Sequence, residues 1–152
     1  YQEARTEINF SDLLEGCIDT FKQHYPSRLV TEQIEPTLYL DGETLLLQML
    51  VNNLLENAHK YAPQDTEIKV MLAQQGKHIK LEVIDSGKGI PDNEKLKIFE
   101  KFYRIGSEAT RNTKGTGLGL YLCKKIAKNH NANISVTDSK PQGSNFVVTF
   151  NS

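Results

Sequence analysis

Apolar residues recur along this chain in two rhythms, one near 3.6 residues and one of two, and the alternation between them predicts the elements. Leu13, Leu14, Cys17, Ile18 and Phe21 keep helical spacing, which predicts a helix capped by Ser11, running to about residue 24 and ended by Pro26. Short strands follow over residues 28–34 and 37–40, parted by the turn-forming Glu35-Pro36. Asp41 is placed to cap the longest helix, which runs to about residue 61 because Pro63 disfavours helical geometry ahead of it. Ile68, Val70 and Leu72 alternate with polar neighbours, as do Ile79, Leu81 and Val83; with Gln75-Gly76 between them they predict an antiparallel hairpin ending at Asp85. A short helix over 94–99, a polar loop, a helix over 116–129 and strands over 133–137 and 146–150 complete the pattern. This order predicts an α/β (α+β) two-layer sandwich, one mixed and mostly antiparallel sheet covered by helices on one face.

With 152 residues the chain fits one domain around one core. Lys plus Arg number 18 and Asp plus Glu 19, so the net charge of -1 offers no broad basic face, and no nucleic-acid partner is expected. No apolar run approaches the roughly 20 residues of a spanning helix, and the polar opening at Tyr1 does not read as a signal peptide. The start without Met suggests an excised piece of a longer protein. Cys17 and Cys123 lack metal-type spacing and read as reduced, packed thiols suited to a cytoplasmic setting.

The long helix carries the first candidate chemistry. At about 100° per residue with Asn53 at zero, Asn57 falls near 40°, Lys60 near 340°, Glu56 near 300° and Tyr61 near 80°. Leu47, Val51, Leu54, Leu55, Ala58 and Ala62 fall between about 100° and 200°, a face for packing on the sheet. A mixed polar stripe can be a solvated surface, but two Asn one turn apart are poor helix formers and point to a ligand. An amide oxygen suits Mg2+, and Lys60 beside it supplies a point charge for phosphate.

Two glycine segments add to this. In Asp85-Ser86-Gly87-Lys88-Gly89-Ile90, Gly87 and Gly89 let the backbone approach a flat ligand, and the Asp85 carboxylate, an acceptor only, suits an exocyclic amine such as that of adenine. A surface β-turn has the same composition, and taken alone this segment favours that reading. Gly115-Thr116-Gly117-Leu118-Gly119-Leu120 opens a helix, where free amides and the positive helix end attract phosphate oxygens. Neither a Walker A loop nor Gly-x-Gly-x-x-Gly occurs, which removes the P-loop and Rossmann readings. The polar, cation-rich stretch from Arg104 to Lys114 reads as a lid over a nucleotide or as an ordinary surface loop.

Four motifs in order then carry a resemblance. The runs 53–61 (Asn53 through Tyr61, with Glu56-Asn57-Ala58), 85–90, 98–104 (Ile98-Phe99-Glu100-Lys101-Phe102-Tyr103-Arg104) and 115–120 resemble the N, G1, F and G2 boxes of bacterial sensor histidine kinases. The resemblance spans nearly the whole chain and implies that family's catalytic ATP-binding domain, of the Bergerat fold, with ATP and Mg2+ as its cofactors. Position by position it implies that Asn57 holds the metal and that Asn53 supports the metal and phosphate network. It further implies that Lys60 and Arg104 contact phosphates and that Tyr61 packs beside the adenine. Asp85 takes the adenine amine, Gly89 permits close approach, Phe99 and Phe102 anchor the stem of the lid, and Gly115, Gly117 and Gly119 bring amides to phosphate. Gly87, Ile90, Tyr103, Lys114, Thr116 and Leu118 complete the implied ATP-binding set. Ser86, Lys88 and Lys114 depart from the family's usual residues without removing a donor or acceptor that the chemistry needs.

Related gyrase-like ATPases resemble this helix but place a water-activating Glu where Asn53 stands. An amide takes no proton at neutral pH, so transfer is favoured over hydrolysis, with Glu56 the remaining stand-in base. No catalytic residue is assigned within the chain, because His24, His59, His78 and His130 lack the acidic and proline context of the family's phosphoacceptor. The resemblance therefore implies γ-phosphate transfer to a His on an upstream helical dimerisation domain and onward to a response-regulator Asp. It also implies a cytoplasmic domain of a homodimeric protein anchored in the bacterial inner membrane, while the piece alone is expected to be monomeric and nearly inactive. A non-catalytic ATP sensor, a Bergerat-type ATPase and a serine kinase stay open as alternatives.

Overall fold

The computed structural model of the chain describes residues 5–103 and 118–151. In chain order the elements are β1 (Thr6–Asn9), α1 (Phe10–His24), β2 (Val30–Ile34), β3 (Tyr39–Gly42), α2 (Thr44–Tyr61), β4 (Ile68–Gln75), β5 (His78–Asp85), α3 (Gly119–Asn129), β6 (Ala132–Asp138) and β7 (Ser144–Asn151). Two short 3-10 turns, Asp92–Glu94 and Lys97–Phe99, lie between β5 and α3.

Alternation of apolar and polar residues builds the main sheet, in the order β2-β4-β5-β7-β6, with β2 and β4 parallel and every other pair antiparallel. Val70, Leu72, Leu81, Val83, Phe146, Val148 and Phe150 point to one buried face, and their neighbours stay half-exposed on the other. The three helices turn their apolar stripes onto that face: Phe10, Leu14, Ile18 and Phe21 from α1, Leu47 through Ala58 from α2, and Cys123, Ile126 and Ala127 from α3. Each of the Leu, Ile, Val and Phe side chains among them contributes about 1.5–3 kcal/mol of transfer free energy. Phe10 meets Phe150 edge-on at 5.2 Å, tying the start of α1 to the sheet. Burial pushes the Cys17 thiol up to about 11 and the Cys123 thiol up to about 12, so both stay protonated packing groups, as the sequence predicts.

The two-layer sandwich holds, with local corrections. Asn9, not Ser11, caps α1 through the Asp12 N–H at 3.1 Å. Ser11 sits in the first turn, where its hydroxyl donates to the Glu35 carbonyl at 2.7 Å and accepts from the Leu38 N–H at 3.0 Å, pinning the turn between β2 and β3. Asp41 lies in β3 rather than capping α2, and β3 pairs with β1 in a separate two-stranded sheet. The sequence reading missed β1 because Ile8 is its one buried residue. The short helix over 94–99 is the pair of 3-10 turns, and the hairpin turn falls on Gly76-Lys77, since Gln75 pairs with His78.

One buried polar contact joins the end of α3 to the start of α2. His130 accepts the Glu43 N–H on Nε2 at 3.1 Å and donates from Nδ1 to the Ile126 carbonyl at 2.8 Å, which fixes a neutral imidazole. Gly42 leaves the space for it, because a Cβ there would stand 2.6 Å from the imidazole Cδ2. Gly42→Ala should therefore cost about 1–3 kcal/mol in urea unfolding, and an unchanged midpoint would contradict the packing described. Burial also lowers the basicity of His130 and of His59. Both take up a proton more readily unfolded, so unfolding free energy should fall as pH drops from 7.5 to 5.5, through the ordinary His value of about 6.5; a flat profile across that window would exclude the neutral pair.

Candidate functional site

The geometry of the site follows from α2. Its six predicted apolar residues, Leu47, Val51, Leu54, Leu55, Ala58 and Ala62, are all buried, which leaves the opposite side outward-facing. Asn53, Asn57 and Lys60 are half-buried there and Tyr61 is 43% exposed, so the predicted stripe exists. The Lys60 ammonium lies 5.3 Å from the centre of the Tyr61 ring. Asn53 leans toward α3, donating from Nδ2 to the Gly119 carbonyl at 3.5 Å and reaching the Cys123 sulfur. The side-chain amide of Asn57 makes no hydrogen bond among the described residues, and a half-buried, uncommitted amide oxygen fits a hard cation. Among the described residues no group of three His, Cys, Asp or Glu side chains could hold a metal, so any ion here relies on amide, water and ligand oxygens.

The Asp85 segment closes one end of this face. Asp85 is the last residue of β5, paired with Ser144 of β7 and 3% exposed, so the surface-turn reading falls. Its Oδ1 accepts the Gly87 N–H at 2.8 Å. Burial pushes its carboxyl above the ordinary carboxylate value, against the pull of the Gly87 and Ser144 N–H groups and the charge of Arg28. Gly87 packs on the end of α2, where a Cβ would stand 2.8 Å from the Tyr61 carbonyl oxygen. Gly89 has φ +81°, and Ile90 packs half-buried against the core.

The other end is the start of α3, where Leu118 is half-buried and where, among the described residues, no atom lies within 4 Å of a Cβ placed on Gly119 and no side chain caps the helix. Phe99 is buried edge-on against Phe146 at 6.2 Å, whereas Phe102 is 61% exposed with φ +65°, so the anchoring implied for the pair falls on Phe99. Tyr103 is half-buried and its hydroxyl donates to Glu94, tying the segment back to the first 3-10 turn. Arg104, Lys114, Gly115, Thr116 and Gly117, with the stretch read as a lid between them, lie outside the described residues. Three of the four motifs thus meet: α2 touches the Asp85 turn through Tyr61 and Gly87, and α3 through Asn53 and Gly119.

Three features escaped the sequence reading. Arg28, 4% exposed, sends its guanidinium onto the end of α2, and its only signal was a lone cation at the start of the expected strand over 28–34. Gly143 faces the Asp85 backbone, announced by no more than a proline-glycine turn after β6. Glu56 accepts the Tyr25 hydroxyl at 2.7 Å, and His59 lies against the Tyr25 ring at 3.9 Å, so neither side chain is free for the face carrying Asn57.

The profile of the family described as histidine kinase-, DNA gyrase B- and HSP90-like ATPase matches residues 42–152. The chain belongs to this family. This histidine kinase-like ATP-binding domain is 35% identical over 108 residues to the sensor-like histidine kinase SenX3 of Mycolicibacterium smegmatis, covering 71% of this chain and 28% of SenX3. It is 31% identical over 150 residues to the signal transduction histidine-protein kinase BaeS of Escherichia coli, covering 97% of this chain and 32% of BaeS. Among solved structures, the mycobacterial sensor histidine kinase MprB superposes with a TM-score of 0.85 at 24% identity, covering 97% of each chain. The catalytic domain of the histidine kinase ThkA gives 0.85 at 24% identity over 98% of each. Those two likenesses establish the fold. The chain spans about a third or less of the length of the curated relatives, and none of its described helices is long and apolar enough to cross a membrane.

Gly143 has φ +121°, and a Cβ there would fall 1.9 Å from the Asp85 carbonyl oxygen. Gly143→Ala in this ATP-binding domain should therefore cost about 2 kcal/mol or more in thermal unfolding, and a loss below measurement would contradict the close pairing that seats Asp85.

Proposed function

We propose that this domain binds Mg-ATP between the polar face of α2, the Asp85 turn and the start of α3, and presents the γ-phosphate to a histidine on another domain. The observation that carries the reading is the convergence of an uncommitted Asn57, the cation of Lys60 and the buried Asp85 around one end of α2. Asp85 accepts the adenine amine, and its lack of a donor rejects a carbonyl in that place. Gly87 and Gly89 hold the turn close against the Tyr61 and Gly143 carbonyls, with Ile90 packed behind it. Asn57, with Asn53 beside it, would hold Mg2+, which when bound screens the phosphate charge. Lys60, Arg104 and the amides from Lys114 to Gly119 then balance the charge that the transferring phosphoryl group spreads over its oxygens.

Transfer is favoured over hydrolysis by two features of the helix. Asn53 cannot take a proton from water, and Glu56, the stand-in base, is held by the Tyr25 hydroxyl. The acceptor histidine is read onto an upstream helical dimerisation domain, and the phosphoryl group passes from there to a response-regulator aspartate. His59 and His130 are packed, and none of the four histidines has the acidic and proline context of the family's acceptor. In this reading residues 1–152 are one catalytic ATP-binding domain, monomeric by itself and nearly inactive. The whole protein is a homodimeric sensor kinase anchored in the bacterial inner membrane.

Titration with a fluorescent ATP analogue should give saturable binding that chelation of Mg2+ weakens. Asp85→Asn should weaken it by about tenfold or more, the cost of replacing one of two acceptor oxygens by a donor NH2 at a buried site where both oxygens are used. Asn57→Ala should flatten its Mg2+ dependence. Equal affinity for Asp85→Asn would contradict the adenine reading. Mixed with a helical domain that carries the phosphoacceptor, the chain should label a histidine from radiolabelled ATP, by acid-labile phosphate; label on serine, or none at all, would contradict the transfer step.

A further inference from the structure

Arg28 belongs to no motif, yet it is the most fully engaged cation among the described residues. It precedes β2 and is buried. Its Nε donates to His59 Nδ1 at 3.0 Å. Its Nη1 donates to the carbonyls of Pro63 at 2.6 Å and Thr66 at 2.9 Å, and its Nη2 to those of His59 and Ala62, both at 3.1 Å. All five N–H donors of the planar guanidinium are thereby used, four of them on carbonyls at and just beyond the end of α2. Carbonyls at that end have no partner within the helix and carry the negative end of its dipole, so a buried cation fits there on both counts.

We propose that Arg28 is a positioning residue for the nucleotide: it fixes the last turn of α2 against the Asp85 turn, so that Asn57, Lys60 and Tyr61 stand in register with Asp85. This inference rests on the reading that these residues hold the nucleotide. The chain of contact is short. Arg28 holds Ala62 and His59, the Tyr61 carbonyl between them seats Gly87, and the Gly87 N–H orients the Asp85 carboxylate. A few tenths of an ångström of freedom at the helix end passes directly to the group that reads adenine.

Arg28 acts on Asp85 a second way, by charge. Burial raises the Asp85 carboxyl, and the N–H groups of Gly87 and Ser144 together with the Arg28 cation oppose that rise. The other titratable groups acting on the guanidinium are Asp65, from the segment after α2, and His59, on α2 itself. Removing the cation therefore makes Asp85 easier to protonate, and binding that needs the carboxylate is lost at a higher pH.

The test follows binding of a fluorescent ATP analogue with Mg2+ to the unmutated chain, Arg28→Gln and Arg28→Lys from pH 5 to 8. Arg28→Gln should bind about tenfold more weakly, with its acid limb displaced to higher pH. Arg28→Lys keeps the charge but has no planar fork, so it should bind more weakly with its acid limb unmoved. Ile79→Val, at the end of β5 opposite Asp85, loosens the core and should leave affinity and acid limb unchanged. Arg28→Gln binding within twofold of the unmutated chain with an unmoved limb would overturn the inference, as would Ile79→Val reproducing both effects. Should Arg28→Gln not fold, Arg28→Lys decides, and affinity within twofold overturns it. Failure of the site reading itself shows separately, as Asp85→Asn binding as tightly as the unmutated chain, and takes this inference with it.

Discussion

Packing the apolar side of α2 on the sheet is the interaction that the rest of the molecule depends on. Six residues on that side are buried, and at about 1.5–3 kcal/mol each for the large ones their burial outweighs any preference of the polar side for a particular direction. The helix cannot rotate without exposing Leu54 and Leu55, so the residues about half a turn away must face outward. The direction in which Asn57 and Lys60 point is therefore a consequence of the core. What remains to be set is where the helix stops, and Pro63 with the guanidinium of Arg28 sets it.

Electrostatics at the site follow from the same framework. Asp85 terminates β5 between two neighbours that crowd it, Gly87 against the end of α2 and Gly143 on β7's side, and side chains at either would collide with their surroundings. A carboxylate held in so dry a place is costly unless hydrogen-bonded and balanced by charge. The N–H groups of Gly87 and Ser144 and the nearby Arg28 supply that balance here. A buried carboxylate whose protonation is shifted by its surroundings is a pattern that marks functional positions.

Much of this was legible in the sequence, for reasons that differ by element. The period of α2 reported its two faces, and the alternation in β4 and β5 reported the hairpin, because in both cases local pattern and tertiary burial agree. Asp85 was legible as chemistry but not as geometry, since an Asp before glycines taken alone reads as a surface turn; its burial and its pairing with Ser144 decide. Ser11 misled because its hydroxyl serves a turn far along the chain instead of its own helix. β1 and Arg28 were invisible for a related reason: the first carries one buried residue, and the side chain of the second acts on groups more than thirty positions away.

The central claim is that the amide face of α2 and the Asp85 turn form one cleft for Mg2+ and adenine nucleotide. A crystal structure with Mg2+ and a non-hydrolysable ATP analogue tests it most directly. The account predicts the Asn57 amide oxygen at about 2.1 Å from the ion and the adenine amine donating to the Asp85 carboxylate. Nucleotide seated elsewhere, or an ion bound with Asn57 turned away from it, would contradict the account.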